Sequence, residues 1–270
     1  MKVTIIVDNI EHEGIPGEWG FCAYIEQNGK KLLLDTGASN LFAENAKKLN
    51  ISLEDVDIAV LSHAHYDHAN GMEKFFEINH KAKFYLQKGC GENCYFKKWF
   101  AKKYIGIPKG ITTKYQDRIQ YVSGVYQAAE GIYLVSHSTP HLERIGKREM
   151  MYQKTKIGFR PDNFCHEQSL VLETDDGLVI FNSCSHGGVV NIINEVKAAF
   201  PEKKIKALIG GFHIFNHPEA EIRELAKLIK ETGIERICTG HCSKERGYKI
   251  LKEELGDMAD QFHVGLELVF

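Results

Sequence analysis

Four side chains of metal-ligand type fall within six positions of this chain, in the string Ser62-His63-Ala64-His65-Tyr66-Asp67-His68. In an extended or tightly looped backbone alternate residues point the same way, so His63 and His65 converge on one ion while Asp67 and His68 present to a neighbouring point. Imidazole nitrogens beside a carboxylate suit zinc, iron or manganese without deciding among them. Two such ions can hold a bridging hydroxide, ionised near neutral pH, as the nucleophile of a hydrolytic reaction. A lone histidine is more often a satisfied packing residue than a ligand, but the full string reverses that balance because its spacing matches a mechanism.

Four groups cannot close two catalytic coordination spheres, so more ligands are needed. The candidates are His137, His141, His186, His213 and His241. The last three follow apolar runs, in Ser183-Cys184-Ser185-His186-Gly187-Gly188, Gly210-Gly211-Phe212-His213 and Thr239-Gly240-His241-Cys242. A strand end followed by glycine-rich backbone places a side chain on a sheet rim, where sites assemble. The two glycines before His213 either admit backbone close to a ligand or merely ease packing. Seven cysteines, an odd number in a chain that needs no staples at this length, indicate reduced thiols or metal-related roles rather than a disulfide framework. Cys90 with Cys94, and Cys238 with Cys242, lack a matching second pair and read as small buried or free thiols.

The elements that must carry these residues are legible in outline. Val3–Val7, Phe21–Glu26 and Lys31–Asp35 read as strands, the last two joined at Asn28-Gly29 by a tight hairpin turn. Val56–Leu61 has the length and β-branching of a buried strand, and it ends at His63. Helices are predicted from Ser39 to Leu49 and from Gly71 to Ile78, with a strand at Lys83–Gln87. The stretch from about Lys88 to Arg118 shows no clear period, and a second loop-like stretch covers Arg144–Pro161, with a strand at Ile132–Ser136 between them. The spacing of Tyr95, Phe96, Trp99, Phe100 and Tyr104 has helical character and suggests packing on the core or a lid over the site. Strands Gln168–Glu173 and Leu178–Asn182 follow. Three helices then alternate with strands: Val189–Phe200 before Ala207–Gly210, Pro218–Glu231 before Arg236–Thr239, and Lys244–Leu255 before Val264–Phe270. We therefore expect an α/β fold of one domain over 1–270, with an inserted basic segment or cap at about 88–165.

The chain has 270 residues, 43% hydrophobic and 26% charged, which excludes disorder and fibrous repeats. Its formal charge of −2 argues against whole-surface affinity for nucleic acid or anionic membrane. From Lys97 to Arg160, however, 13 Lys or Arg face four acids. This excess is either balanced by acidic neighbours in the fold or draws a substrate anion towards the site. No apolar stretch reaches the roughly 18 residues of a membrane span, and no cleavage pattern follows the first apolar run, so a cytoplasmic protein is expected.

The histidine string, with Asp35-Thr36-Gly37 ahead of it and Thr239-Gly240-His241 near the end, resembles the metallo-β-lactamase superfamily over nearly the whole chain. Cys184-Ser185-His186, Gly210-Gly211-Phe212-His213 and Gly240-His241-Cys242 are most similar to its branch of dihydropterin ribofuranosyl-aminobenzene phosphate synthase-like proteins. The resemblance implies an αβ/βα sandwich of two mixed sheets flanked by helices, with a dinuclear metal site along one edge. It implies His63 and His65 on the first metal, Asp67 and His68 on the second, and His241 in the place of the family's last histidine. Asp67 would also orient or deprotonate the attacking water. Most of the superfamily places a bridging aspartate after the strand corresponding to Leu178–Asn182. Here Ser183-Cys184-Ser185-His186 stands instead. His186 is preferred as the replacement ligand, because an imidazole binds without deprotonating a thiol. Cys184 and Asp35 are further candidates, and His213 joins Asp67 as a catalytic candidate. His137 and His141, around Pro140, resemble only loosely the family's middle histidine.

The expected function is a metal-dependent hydrolase or related transferase using a metal-bound hydroxide. It would hold two divalent ions, zinc foremost with manganese or iron as alternatives, and act on a small anionic substrate, phosphorylated ones included. Phosphodiester hydrolysis on nucleic acid, an iron-based redox or sensory role and a metal-stabilised binding module are the competing readings. The fold alone does not choose among them. Whether the chain forms a homo-oligomer is open.

Overall fold

The computed structural model describes residues 1–270. The first half contains β1 (Lys2–Val7), β2 (Cys22–Gln27), β3 (Lys30–Leu34), α1 (Leu41–Lys48), β4 (Ile58–Val60), the one-turn α2 (Tyr66–Ala69), α3 (Met72–Ile78) and β5 (Lys83–Gln87). There follow β6 (Cys94–Lys98), β7 (Ala101–Tyr104), α4 (Ile111–Lys114), β8 (Ile119–Val122), β9 (Val125–Ala129), β10 (Ile132–Ser136), α5 (Glu143–Arg148), β11 (Met151–Thr155) and β12 (Gly158–Pro161). The remainder is β13 (Gln168–Thr174), β14 (Gly177–Phe181), α6 (Val189–Ala199), β15 (Ile205–Ile209), α7 (Glu219–Glu231), β16 (Arg236–Thr239), α8 (Lys244–Leu255), β17 (Ala259–Gln261) and β18 (Glu267–Val269).

Two seven-stranded mixed sheets result, in the orders β18-β1-β2-β3-β4-β5-β8 and β17-β16-β15-β14-β13-β10-β9. Strand alternation explains why both of their faces are covered. In β2, Ala23 and Ile25 point into the core between the sheets, while Cys22 and Tyr24 point to the layer of α1 and α3. In β14, Val179 and Phe181 enter the same central core, and Leu178 and Ile180 face α6, α7 and α8. On α6, Val189, Ile192, Ile193 and Val196 are buried, at the helical spacing that the sequence shows. The order of layers is thus helix, sheet, sheet, helix, as expected. No helix is long and apolar enough to cross a membrane.

Within the region from 88 to 165 the expected strand Ile132–Ser136 is present as β10, and it joins β9 in the second sheet while β8 joins the first. Only β6, β7, β11 and β12 build a separate sheet, in the order β12-β11-β6-β7. The aromatic run is a hairpin, not a helix: Tyr95 pairs with Tyr104 across it, and Trp99 and Phe100 form its exposed turn. Because both faces of β6 and β7 are partly exposed, their apolar residues do not alternate, and the period-two signal is lost. The short β17 also escaped the pattern.

Candidate metal centre

Six chain segments deliver the histidine string and its candidate partners to one place. β3, β4 and β5 run parallel, as do β14, β15 and β16. Residues immediately beyond their carboxyl ends converge: Asp35 after β3, Ser62 and His63 after β4, Cys184 and His186 after β14, His213 after β15 and His241 after β16. Open α/β sheets bind ligands at such strand ends. Asp67 and His68 come from the single turn of α2. Four non-glycine residues at these ends, Asp35, Ser185, His213 and His241, have φ between 47° and 60°, a left-handed backbone that is tolerated where function demands it.

His63, His65 and His186 each offer a nitrogen within 4.8 Å of the others. Beside them, Asp67 Oδ2 lies 3.6 Å from His241 Nε2 and 3.8 Å from His68 Nε2. Nε2 of His63, His65 and His241, and both ring nitrogens of His186, are buried without any hydrogen-bond partner. A buried polar atom left unpaired costs about 1–3 kcal/mol, so several gathered in one volume fit a site whose remaining partner is a metal ion. His213 stands beside them, its ring centroid 4.4 Å from that of His186. His141 is exposed and meets only Glu143.

Asp35 does not face this volume but supports it. Its carboxylate accepts the Ser62 amide and hydroxyl and His68 Nδ1–H, each at 2.7 Å. Since the Ser62 hydroxyl donates to Asp35, its oxygen accepts from His63 Nδ1 at 2.8 Å. One carboxylate therefore fixes the tautomer of two histidines and turns both Nε2 lone pairs inward, that of His63 without a partner, a recurrent arrangement behind metal-binding imidazoles. Asn9 Oδ1 accepts from His241 Nδ1 at 3.2 Å, and Asp8 accepts the His241 amide at 2.7 Å. Glu167 accepts the amides of His186 and Gly187 and pairs at 2.5 Å with His137 Nε2, whose Nδ1 meets Glu195 at 2.8 Å. His137 is thus held between two carboxylates behind the centre.

The electrostatics keep the inner imidazoles neutral. Burial, reinforced by neighbouring histidines, holds His63, His65, His186 and His241 well below the usual imidazole range, so each offers a lone pair at neutral pH. Burial also pulls on His68, but Asp67 and Asp35 outweigh it and raise its pKa. His213 is raised as well, its burial overruled by Cys242, Glu149 and Asp67.

A cavity of about 480 Å³ opens onto the centre, with His65, Asp67, His186, His213 and His241 on its floor. Its walls include Trp19, Phe215, Phe96, Met151 and Lys103. At the rim, Lys244 Nζ lies over the rings of Trp19 and Phe215, at 5.3 and 5.4 Å.

Sequence reading did not single out Asp8, Asn9, Ser62, Glu167 or Trp19. Asp8 and Asn9 end an apolar strand, as His63 ends another, and that shared position was the available signal. Glu167 had none, since nothing local marks a carboxylate that meets backbone amides 19 and 20 residues away. Glycines before His213 are required by close approach: a Cβ on Gly210 would lie 1.8 Å from the Asn182 carbonyl, and one on Gly211 would lie 2.5 Å from Cys242 Sγ.

Residues 19–148 match the family model of the metallo-beta-lactamase superfamily. The chain is 28% identical, over 93% of its length and 88% of the relative's, to the 7,8-dihydropterin-6-methyl-4-(beta-D-ribofuranosyl)-aminobenzene-5'-phosphate synthase of Methanocaldococcus jannaschii. Among solved structures it is similar to Tm1679, a metal-dependent hydrolase of the beta-lactamase superfamily, with a TM-score of 0.84 and 27% identity over 100% of this chain and 99% of that one. The Zn(2+)-bound PqqB of Methylobacterium extorquens shares the fold over 100% of each chain, with a TM-score of 0.63 and 12% identity.

Proposed function

We propose that the protein is a metal-dependent hydrolase or related transferase acting on a small anionic substrate. In this reading His63, His65 and His186 hold one divalent ion and Asp67, His68 and His241 a second, zinc foremost. The observation that carries it is the convergence of bare, buried imidazole nitrogens on the floor of an open cavity. When bound, such ions supply Lewis acidity, acidifying a water and offsetting negative charge that develops on the substrate.

The chain's own groups do the rest. Lys103 in the wall and Lys244 at the rim attract the substrate's anionic group, and the Trp19 and Phe215 rings pack against its apolar part. The Asp67 carboxylate orients the attacking nucleophile and accepts its proton. His213 Nε2, 4.0 Å from Glu149 Oε2, delivers a proton to the leaving group. The phosphate in the product name of the Methanocaldococcus jannaschii relative supports a phosphorylated substrate, and the word synthase supports the transferase arm. Seven free thiols suit a reducing, cytoplasmic setting.

The test is the metal content per chain, by mass spectrometry, of protein purified without added metal, beside His63→Ala and Asp67→Ala. Close to two equivalents in the wild type and fewer in the variants are expected, and phosphorylated and ester substrates are then screened for turnover. A folded wild type that carries no metal and takes none up on titration overturns the reading.

A further inference from the structure

Two buried nucleophilic groups have no part in that scheme. Cys184 Sγ lies 3.3 Å from His68 Nε2 and 3.5 Å from Cys242 Sγ. Its sulfur falls within 4.8 Å of donors in three separate sets: His63 with His68, His241 with Cys242, and His186 with His213. It thus reaches histidines assigned above to both ions. Cys242 receives the His213 amide at 3.2 Å, a contact that favours a thiolate, and it occupies the space left by the missing Cβ of Gly211. Cys22 and Cys90 donate instead to the Asp35 and His166 carbonyls, and Cys94 belongs to a separate donor set with His65, Asp162 and His166 that Cys184 does not join.

We propose that Cys184 and Cys242 are thiolate ligands of the metal centre, with the Cys184 sulfur shared between the two metal positions and Cys242 confined to the one held by His241. The inference rests on the reading of the site as a metal centre. Each thiol gives up its proton to solvent as its sulfur–metal bond forms, with no change in oxidation state. The consequence is selectivity: soft sulfur donors favour zinc, iron or cobalt over manganese and magnesium, which prefer oxygen.

The test uses the full chain loaded with zinc or with cobalt(II). X-ray absorption at the zinc edge should show sulfur scattering at about 2.3 Å, and cobalt(II) should give a thiolate-to-metal charge-transfer band in the near ultraviolet. Cys242→Ser should lose part of both signals, and Cys184→Ser should lose more and lower the occupancy of both positions. Each should cut the preference for zinc over manganese by about tenfold, the scale on which neighbours of metal ligands act. Cys165→Ser, outside the centre, should change nothing. Wild-type protein that binds metal through nitrogen and oxygen alone overturns the thiolate proposal while leaving the metal reading intact, and this measurement needs no variant to fold. Absence of any bound metal overturns both.

Discussion

Asp35 and His68 form a fully buried pair in which the carboxylate Oδ2 accepts the Nδ1 proton at 2.7 Å. Because the same carboxylate also sets His63 through Ser62, Asp35→Asn should disturb two ligands at once. An amide cannot accept three hydrogen bonds with the same strength, and its NH2 group would face donors. We expect metal affinity, measured by chelator competition, to fall about 10–100-fold, with the far-ultraviolet circular dichroism retained.

His137 gives a pH signature. Burial lowers its pKa, but hydrogen bonds and charges from Glu167 and Glu195 outweigh that and raise it to about 9. A raised folded-state pKa stabilises fully below the unfolded value of about 6.5 and ceases to do so as pH passes the folded value. The stability difference between wild type and His137→Gln should therefore be largest near pH 6 and shrink by on the order of 3 kcal/mol by about pH 9.5. Urea denaturation across that range checks it, and a difference that grows with pH contradicts the arrangement.

Gly210 and Gly110 both have positive φ, but only the first is crowded. Gly210→Ala drives a Cβ into the Asn182 carbonyl, so a loss of more than about 3 kcal/mol, or failure to fold, is expected. Gly110→Ala meets nothing within 4 Å and should cost about 1 kcal/mol from its backbone alone. Thermal denaturation of the two variants separates close packing from conformational strain.

Anion recognition is testable with inorganic phosphate as the probe. Lys103→Ala and Lys244→Ala should each weaken phosphate binding to the zinc-loaded protein several-fold and reduce its sensitivity to ionic strength, as expected for partly screened charges. Calorimetric titration at two salt concentrations reads both effects. Unchanged affinity in both variants would remove these lysines from the binding site.

Much of the fold was legible because the buried strands and helices keep their periods. Lys83–Gln87 was placed residue for residue, and the predicted Val189–Phe200 helix exceeds the observed one by a single residue. The half-exposed strands β6, β7, β11 and β12 keep no such rhythm, and their helical aromatic spacing misled. At the site, His63, His65, Asp67 and His68 were visible because they are close in sequence. The Asp35 relay was not, since its hydrogen bonds span 27 and 33 residues. Asp35 was read as a further ligand candidate, and its carboxylate is instead occupied by hydrogen bonds from Ser62 and His68.

One side of the cavity wall comes from a different part of the chain than the floor. Phe96, Lys103, Ile105 and Met151 belong to the small sheet and its connections, whereas the histidines are rooted in the two large sheets. The two meet closely at the backbone, where Tyr66 donates to the Ile105 carbonyl at 2.9 Å and His65 bridges Gly106. Heritable change can therefore rewrite what the cavity admits without rewriting the reactive groups beneath it. Descendants of one such ancestor would keep the same chemistry while diverging in diet, and the hairpin carrying Trp99 and Phe100 is where that divergence should be sought first.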